Sequence, residues 1–173
     1  MSSPNHTYAL ADEAATLALG AALAAVLRPG LTIYLRGELG AGKTTLTRGL
    51  LRALGYVGPV RSPTYALVEL YVISGYILYH FDFYRFNQPG EWLEAGLDEH
   101  FNQSTVCLVE WPEKAGDLLP LADIEAVIEV VEEDGPADGA ADQQARRITL
   151  NAHSERGTSC LSDLRFSPAP PAP

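Results

Sequence analysis

Gly37-Glu38-Leu39-Gly40-Ala41-Gly42-Lys43-Thr44, followed by Thr45, has the spacing of a phosphate-binding loop. In that chemistry the glycines let main-chain N–H groups converge on an anion without Cβ atoms in the way. Lys43 reaches the outer phosphates, and Thr44 offers its hydroxyl to magnesium. A loop of this kind holds a nucleotide, but hydrolysis also needs groups that fix the metal and orient water. Two apolar runs supply candidates, because ILYHFD ends at Asp82 and TVCLVE ends at Glu110. In an open α/β sheet the ligand crevice lies at the carboxyl ends of the strands, where both acids would converge on the metal of Thr44. The expected catalytic set is therefore Lys43, Asp82 and Glu110, with ATP and Mg2+ as cofactors.

Other side chains carry two readings each. Ser62-Pro63-Thr64 lies where a switch segment would cover the terminal phosphate, and its hydroxyls would sense the phosphate or its metal. The same tripeptide also suits an ordinary Ser-Pro turn. His80 precedes Asp82 by two positions and shares its face of a strand, either as a catalytic group or as a satisfied hydrogen-bonding residue. Arg85 either complements phosphate charge or sits on the surface. Trp111, next to Glu110, either borders the adenine ring or packs as an ordinary aromatic.

The flanking elements match the order such a loop requires. Leu31–Leu35 (LTIYL) follows a Pro29-Gly30 break and has the content of a buried strand. Downstream, Leu46, Leu50, Leu51 and Leu54 share one face of a helix that Gly55 ends. Residues 65–71 and 76–81 read as two strands joined by an Ile-Ser-Gly connection, so a mixed sheet is expected. Residues 91–101 read as a helix and 105–109 as a buried strand. A last antiparallel pair is expected over 124–131 and 147–150.

The chain has 173 residues, 47% hydrophobic and 20% charged, with a formal net charge of −10. That suits one globular domain with appendages, and the charge opposes general attraction to nucleic acid or anionic lipid. RNA, if involved, is expected to be held through another protein. The alanine-rich run from Ala14 to Leu27 follows Asp12 and Glu13, where a secretion signal would be basic, so it reads as an amphipathic or largely buried helix. No stretch reaches the roughly 18 apolar residues of a membrane span. Cys107 and Cys160 have no partnered spacing, which implies neither a disulfide framework nor a zinc site. A cytoplasmic setting is expected. The domain is placed at 1–152, with a mobile acidic loop at about 132–145 and a disordered Pro-rich tail over 153–173.

Taken together and in this order, GELGAGKTT, SPTY, HFDFYR and VEWPEK resemble the bacterial TsaE (YjeE) family, the small ATPases of tRNA threonylcarbamoyladenosine biosynthesis. The loop is common to a large superfamily, whereas His80-x-Asp82-x-Tyr84-Arg85 followed by Glu110-Trp111 is far more specific. The resemblance implies a P-loop NTPase-like three-layer α/β fold with a mixed β-sheet flanked by helices. It implies that Gly37 through Thr44, with Thr45, bind the phosphates, that Thr44 and Glu110 hold magnesium, and that Asp82 assists metal or water. Ser62, Pro63, Thr64 and Tyr65 would form the switch, and Trp111 would border the nucleotide. The implied partners are TsaD and TsaB, which transfer the threonylcarbamoyl group to the adenosine beside the anticodon of tRNAs reading A-starting codons, with ATP hydrolysis resetting that assembly. Rival readings are a small-metabolite kinase, which needs a basic lid that does not stand out here, and a binding module without turnover. A GTP switch is disfavoured because no Asn-Lys-x-Asp segment is present.

Overall fold

In the computed structural model, which describes residues 5–131 and 144–168, the chain begins with β1 (Asn5–Leu10), α1 (Glu13–Ala24), β2 (Thr32–Arg36) and α2 (Lys43–Ala53). It continues through β3 (Val68–Ile73), β4 (Tyr76–Asp82), the short α3 (Glu91–Glu94) and β5 (Thr105–Glu110). β6 (Ile124–Val130), β7 (Arg146–Ala152) and α4 (Glu155–Asp163) follow. The strands form one seven-stranded sheet in the order β1-β7-β6-β2-β5-β4-β3. The four central strands are parallel, and antiparallel pairs close both edges. This is the expected mixed sheet of a three-layer α/β fold.

Strand alternation divides the core in two. Ile33, Leu35, Leu78, Val106 and Leu108 point to one face and pack with Leu19 and Leu23 of α1, Leu46, Leu50 and Leu51 of α2, and Leu161 of α4. Tyr34, Phe81, Cys107 and Val109 point to the other, joining Phe83, Phe86 and Trp92 in an aromatic cluster. His80 and Asp82 share the parity of Leu78, and Glu110 shares that of Leu108. All three therefore lie on the face that α2 covers.

α1 and α2 touch backbone to backbone. A Cβ on Gly49 would stand 2.2 Å from the Leu17 carbonyl oxygen, and one on Gly20 would stand 2.2 Å from that of Leu46. Glycine is the residue that permits this approach. Asp12 caps α1 by accepting from Ala15 N at 2.8 Å, so the acid that argued against a secretion signal starts the helix.

Several expectations shift. β1, an edge strand with only Leu10 fully buried, was not foreseen. The strand expected from residue 65 starts at Val68, because Leu67 takes a left-handed conformation (φ 68°) and its carbonyl accepts Asp82 N at 3.0 Å. Ser74 and Gly75 make the anticipated hairpin turn, both with positive φ. The helix expected over 91–101 is broken at Gly96 (φ 70°) into α3 and a 3-10 turn at Leu97–His100.

The largest correction concerns the end of the chain. The tail expected to be disordered from 153 contains α4, so the folded unit extends past residue 152. Gly157, Cys160, Leu161 and Leu164 recur at helical spacing and are buried against the sheet and α1. Ser154 caps the helix, accepting from Gly157 N at 3.0 Å. Phe166 continues the packing edge-on to Tyr8, ring centroids 5.1 Å apart. Of the acidic loop expected at about 132–145, residues 132–143 lie outside the described residues, as do the last residues, 169–173. Among the described residues no helix is long and apolar enough to cross a membrane.

Candidate functional site

The loop after β2 turns through Gly37 (φ 152°), Gly40 (φ 79°) and Gly42 (φ 113°) before entering α2 at Lys43. Gly42, the N-cap residue, is left-handed, a conformation that strains other residues. A Cβ on Gly37 would meet Ile128 O at 2.5 Å, whereas Gly40 faces open space. The lysine is 4% exposed and folds back on its own loop. Its Nζ donates to Gly37 O at 2.6 Å and Glu38 O at 2.8 Å, and lies 4.2 Å from the centre of the Trp111 ring. Burial lowers the Lys43 pKa from its ordinary value, opposed by the negative charges of Glu110, Glu113, Asp82 and Glu38.

β4 and β5 end in register, with Asp82 opposite Glu110. Both carboxylates are 3% exposed. Glu110 Oε1 accepts the Thr44 hydroxyl at 2.8 Å and lies 2.8 Å from His80 Nε2. Asp82 Oδ1 accepts Tyr84 N at 2.8 Å, while its Oδ2 accepts the hydroxyls of Ser62 and, at 3.1 Å, Thr64. Lys43, Thr44, Ser62, Thr64, Asp82 and Glu110 line an open cleft of about 260 Å³ together with Leu39, Gly40, Gly42, Thr45, Tyr84 and Trp111.

Most of the residues anticipated from sequence thus converge. Gly37, Glu38 and Ala41 belong to the loop but do not line the cleft. In the segment 62–65, Ser62 and Thr64 face the cleft, Pro63 is buried with its carbonyl accepting Leu67 N at 2.7 Å, and Tyr65 is 86% exposed. Arg85 does not line the cleft; its guanidinium lies 4.8 Å from the Tyr65 ring centre. Trp111 does line it. His80 is fully buried behind the cleft.

Two contributors were missed. Tyr84 lines the cleft and packs against Trp111, ring centroids 5.0 Å apart. It continues the alternation of His80 and Asp82, a signal that the strand parity carried. The buried Arg146 donates from Nε to Ala41 O at 2.8 Å and packs on Gly42. It comes from β7, far along the chain, and no local pattern announces it.

The donor set suits magnesium. A hydroxyl and two carboxylates are hard oxygen ligands, and magnesium takes one or two carboxylates alongside substrate phosphates. Among the described residues no cluster of three or more His, Cys, Asp or Glu could cage an ion. Residues of this kind would share the cation with a bound nucleotide.

Comparison with known proteins points to one family. Residues 10–138 match the family model of the threonylcarbamoyl adenosine biosynthesis protein TsaE. The tRNA threonylcarbamoyladenosine biosynthesis protein TsaE of Haemophilus influenzae is 40% identical over 161 residues, covering 90% of this chain and 95% of that protein. The Bacillus subtilis protein of the same name is 40% identical over 149 residues, covering 86% and 87%. The crystal structure of Bacillus subtilis YdiB superposes with a TM-score of 0.75 at 30% identity, covering 93% of this chain and 94% of that one. With the phosphate loop, the paired strand-end acids and these matches spanning most of the chain, the protein belongs to the TsaE family of tRNA threonylcarbamoyladenosine biosynthesis.

Proposed function

We propose that this protein is a magnesium-dependent ATPase whose turnover resets a TsaB–TsaD complex that threonylcarbamoylates the adenosine beside the anticodon. The observation that carries the hydrolytic reading is the convergence of Thr44, Glu110 and Asp82 beside the glycine loop. The pathway rests on family membership.

In this reading the loop amides and the start of α2 receive the phosphates, helped by the positive end of the helix dipole. Lys43 exchanges the carbonyls of Gly37 and Glu38 for outer phosphate oxygens. Thr44 donates its hydroxyl hydrogen bond to Glu110 Oε1, which leaves the hydroxyl lone pairs for a cation. Magnesium, when bound, would neutralise charge on the terminal phosphates. Asp82 exchanges the Ser62 and Thr64 hydroxyls for water or metal-bound ligands, so segment 62–67 is tied to the state of the site. Trp111 and Tyr84 offer aromatic surface to the nucleotide. Among the described residues lining the cleft, Lys43 is the one cationic side chain, which favours hydrolysis over a lidded kinase reaction.

The test measures phosphate release from ATP with and without TsaB and TsaD from the same source. Lys43→Ala and Glu110→Ala should abolish release, and the partners should accelerate it. Undiminished hydrolysis in both variants refutes the site, and indifference to the partners refutes the coupling.

A further inference from the structure

One buried polar side chain beside the site has no role in the mechanism above. His80 is 0% exposed, next in line on its face of β4 after Leu78 and opposite Leu108 of β5. A leucine would suit such surroundings, and burying an imidazole is unfavourable unless its polar atoms are used. Its Nδ1 has no hydrogen-bond partner among the described residues. Its Nε2 lies 2.8 Å from Glu110 Oε1, the oxygen that also accepts the Thr44 hydroxyl at 2.8 Å. The contact is attractive only when Nε2 carries the proton; otherwise two lone pairs would face each other and a buried Nδ1–H would lack an acceptor.

We propose that His80 is a positioning residue for the cation site. By donating Nε2–H to Glu110 Oε1, it fixes the rotation of the carboxylate. That oxygen is then held where it accepts the Thr44 hydroxyl hydrogen bond, and Oε2 takes neither bond. Without His80, Thr44 alone restrains the glutamate, and the hydroxyl loses a fixed acceptor. Outer-shell histidines and carboxylates of this sort hold metal ligands in orientation. The proposal rests on the reading of Thr44 and Glu110 as magnesium residues.

Three substitutions in the full chain test it. His80→Gln places an amide nitrogen the same number of bonds from the backbone as Nε2. His80→Asn places one at the position of Nδ1, and His80→Leu removes the donor. Binding of the non-hydrolysable ATP analogue AMP-PNP is measured calorimetrically with and without magnesium, beside thermal unfolding of each variant. Magnesium should tighten binding to the unsubstituted protein. His80→Leu and His80→Asn should weaken magnesium's apparent affinity about 10- to 100-fold while sparing metal-free binding. His80→Gln should retain most of the magnesium effect. Equal loss in the Gln and Asn variants, or full retention in all three, overturns the proposal. Should His80→Leu fail to fold, the Gln and Asn pair decides alone. Absence of any magnesium effect in the unsubstituted protein overturns the metal reading itself, and this proposal with it.

Discussion

Gly49→Ala sets two physical effects against each other. On helix propensity alone, alanine in the middle of α2 would stabilise the protein by about 1 kcal/mol. The packing demands the opposite. The added Cβ would stand 2.2 Å from Leu17 O and 2.8 Å from both the carbonyl carbon and the Cα of Leu17. Real Cβ contacts essentially never fall under 3.0 Å, so α1 and α2 must separate by at least 3.0 − 2.2 = 0.8 Å. The obstacle is helix backbone, which cannot swing aside as a side chain can. Overpacking of a close-packed core costs about 1–3 kcal/mol, and a backbone clash belongs at or above the upper end. After the propensity gain, a net loss of about 2 kcal/mol remains, worth a drop of about 4–8 °C in Tm for a domain of this size. Differential scanning calorimetry reads it directly. An unchanged or raised Tm would refute the argument that glycine is there for contact between the helices. Gly20→Ala, whose Cβ meets Leu46 O at 2.2 Å from the other side, should behave alike.

Arg146→Leu removes the buried donor from Ala41 O and should cost about 1–3 kcal/mol, seen as a lower urea midpoint at unchanged slope. It should also weaken nucleotide binding, because Arg146 packs on Gly42 at the entry to α2. Burial raises the thiol pKa of Cys107 to about 12, against a weaker lowering by its hydrogen bond to Thr105, and raises that of Cys160 to about 11. Thiol reagents at pH 8 should therefore label neither cysteine until the chain unfolds. Because both native values exceed the unfolded one, the stability these thiols contribute is complete below the unfolded value of about 8.5. It is lost progressively as pH rises from there through the native values, which equilibrium unfolding between about pH 8 and 12 would record. Flat stability across that range would contradict the burial assigned to them.

The parts of the site that sequence reveals are those that lie within one contiguous stretch or at the end of one apolar run. The phosphate loop is a local object, since Gly37, Gly42, Lys43 and Thr44 lie within eight consecutive residues. Asp82 and Glu110 are legible because an acid ending a buried strand is chemically conspicuous and because parallel strands finish on the same side. Their exact register is a property of the sheet. Arg146 was invisible because its partner is a carbonyl brought near only by the antiparallel return of β7. α4 was hidden for a different reason. Its buried stripe is built partly from Gly157 and Cys160, and small residues give little hydrophobic contrast beside arginine, serine and threonine. The helix over 91–101 failed at Gly96, where periodicity carried more weight than the glycine that interrupts it.

Trp111 follows Glu110 in a left-handed conformation, φ 57°, and the indole lies over the Lys43 ammonium. The other tryptophan, Trp92, is locked in the aromatic cluster across the sheet. The molecule thus contains one emitter beside the Lys43 ammonium and one remote emitter. Intrinsic fluorescence should therefore report phosphate arrival without any label, and Trp111→Phe would leave behind the constant background against which the signal is read.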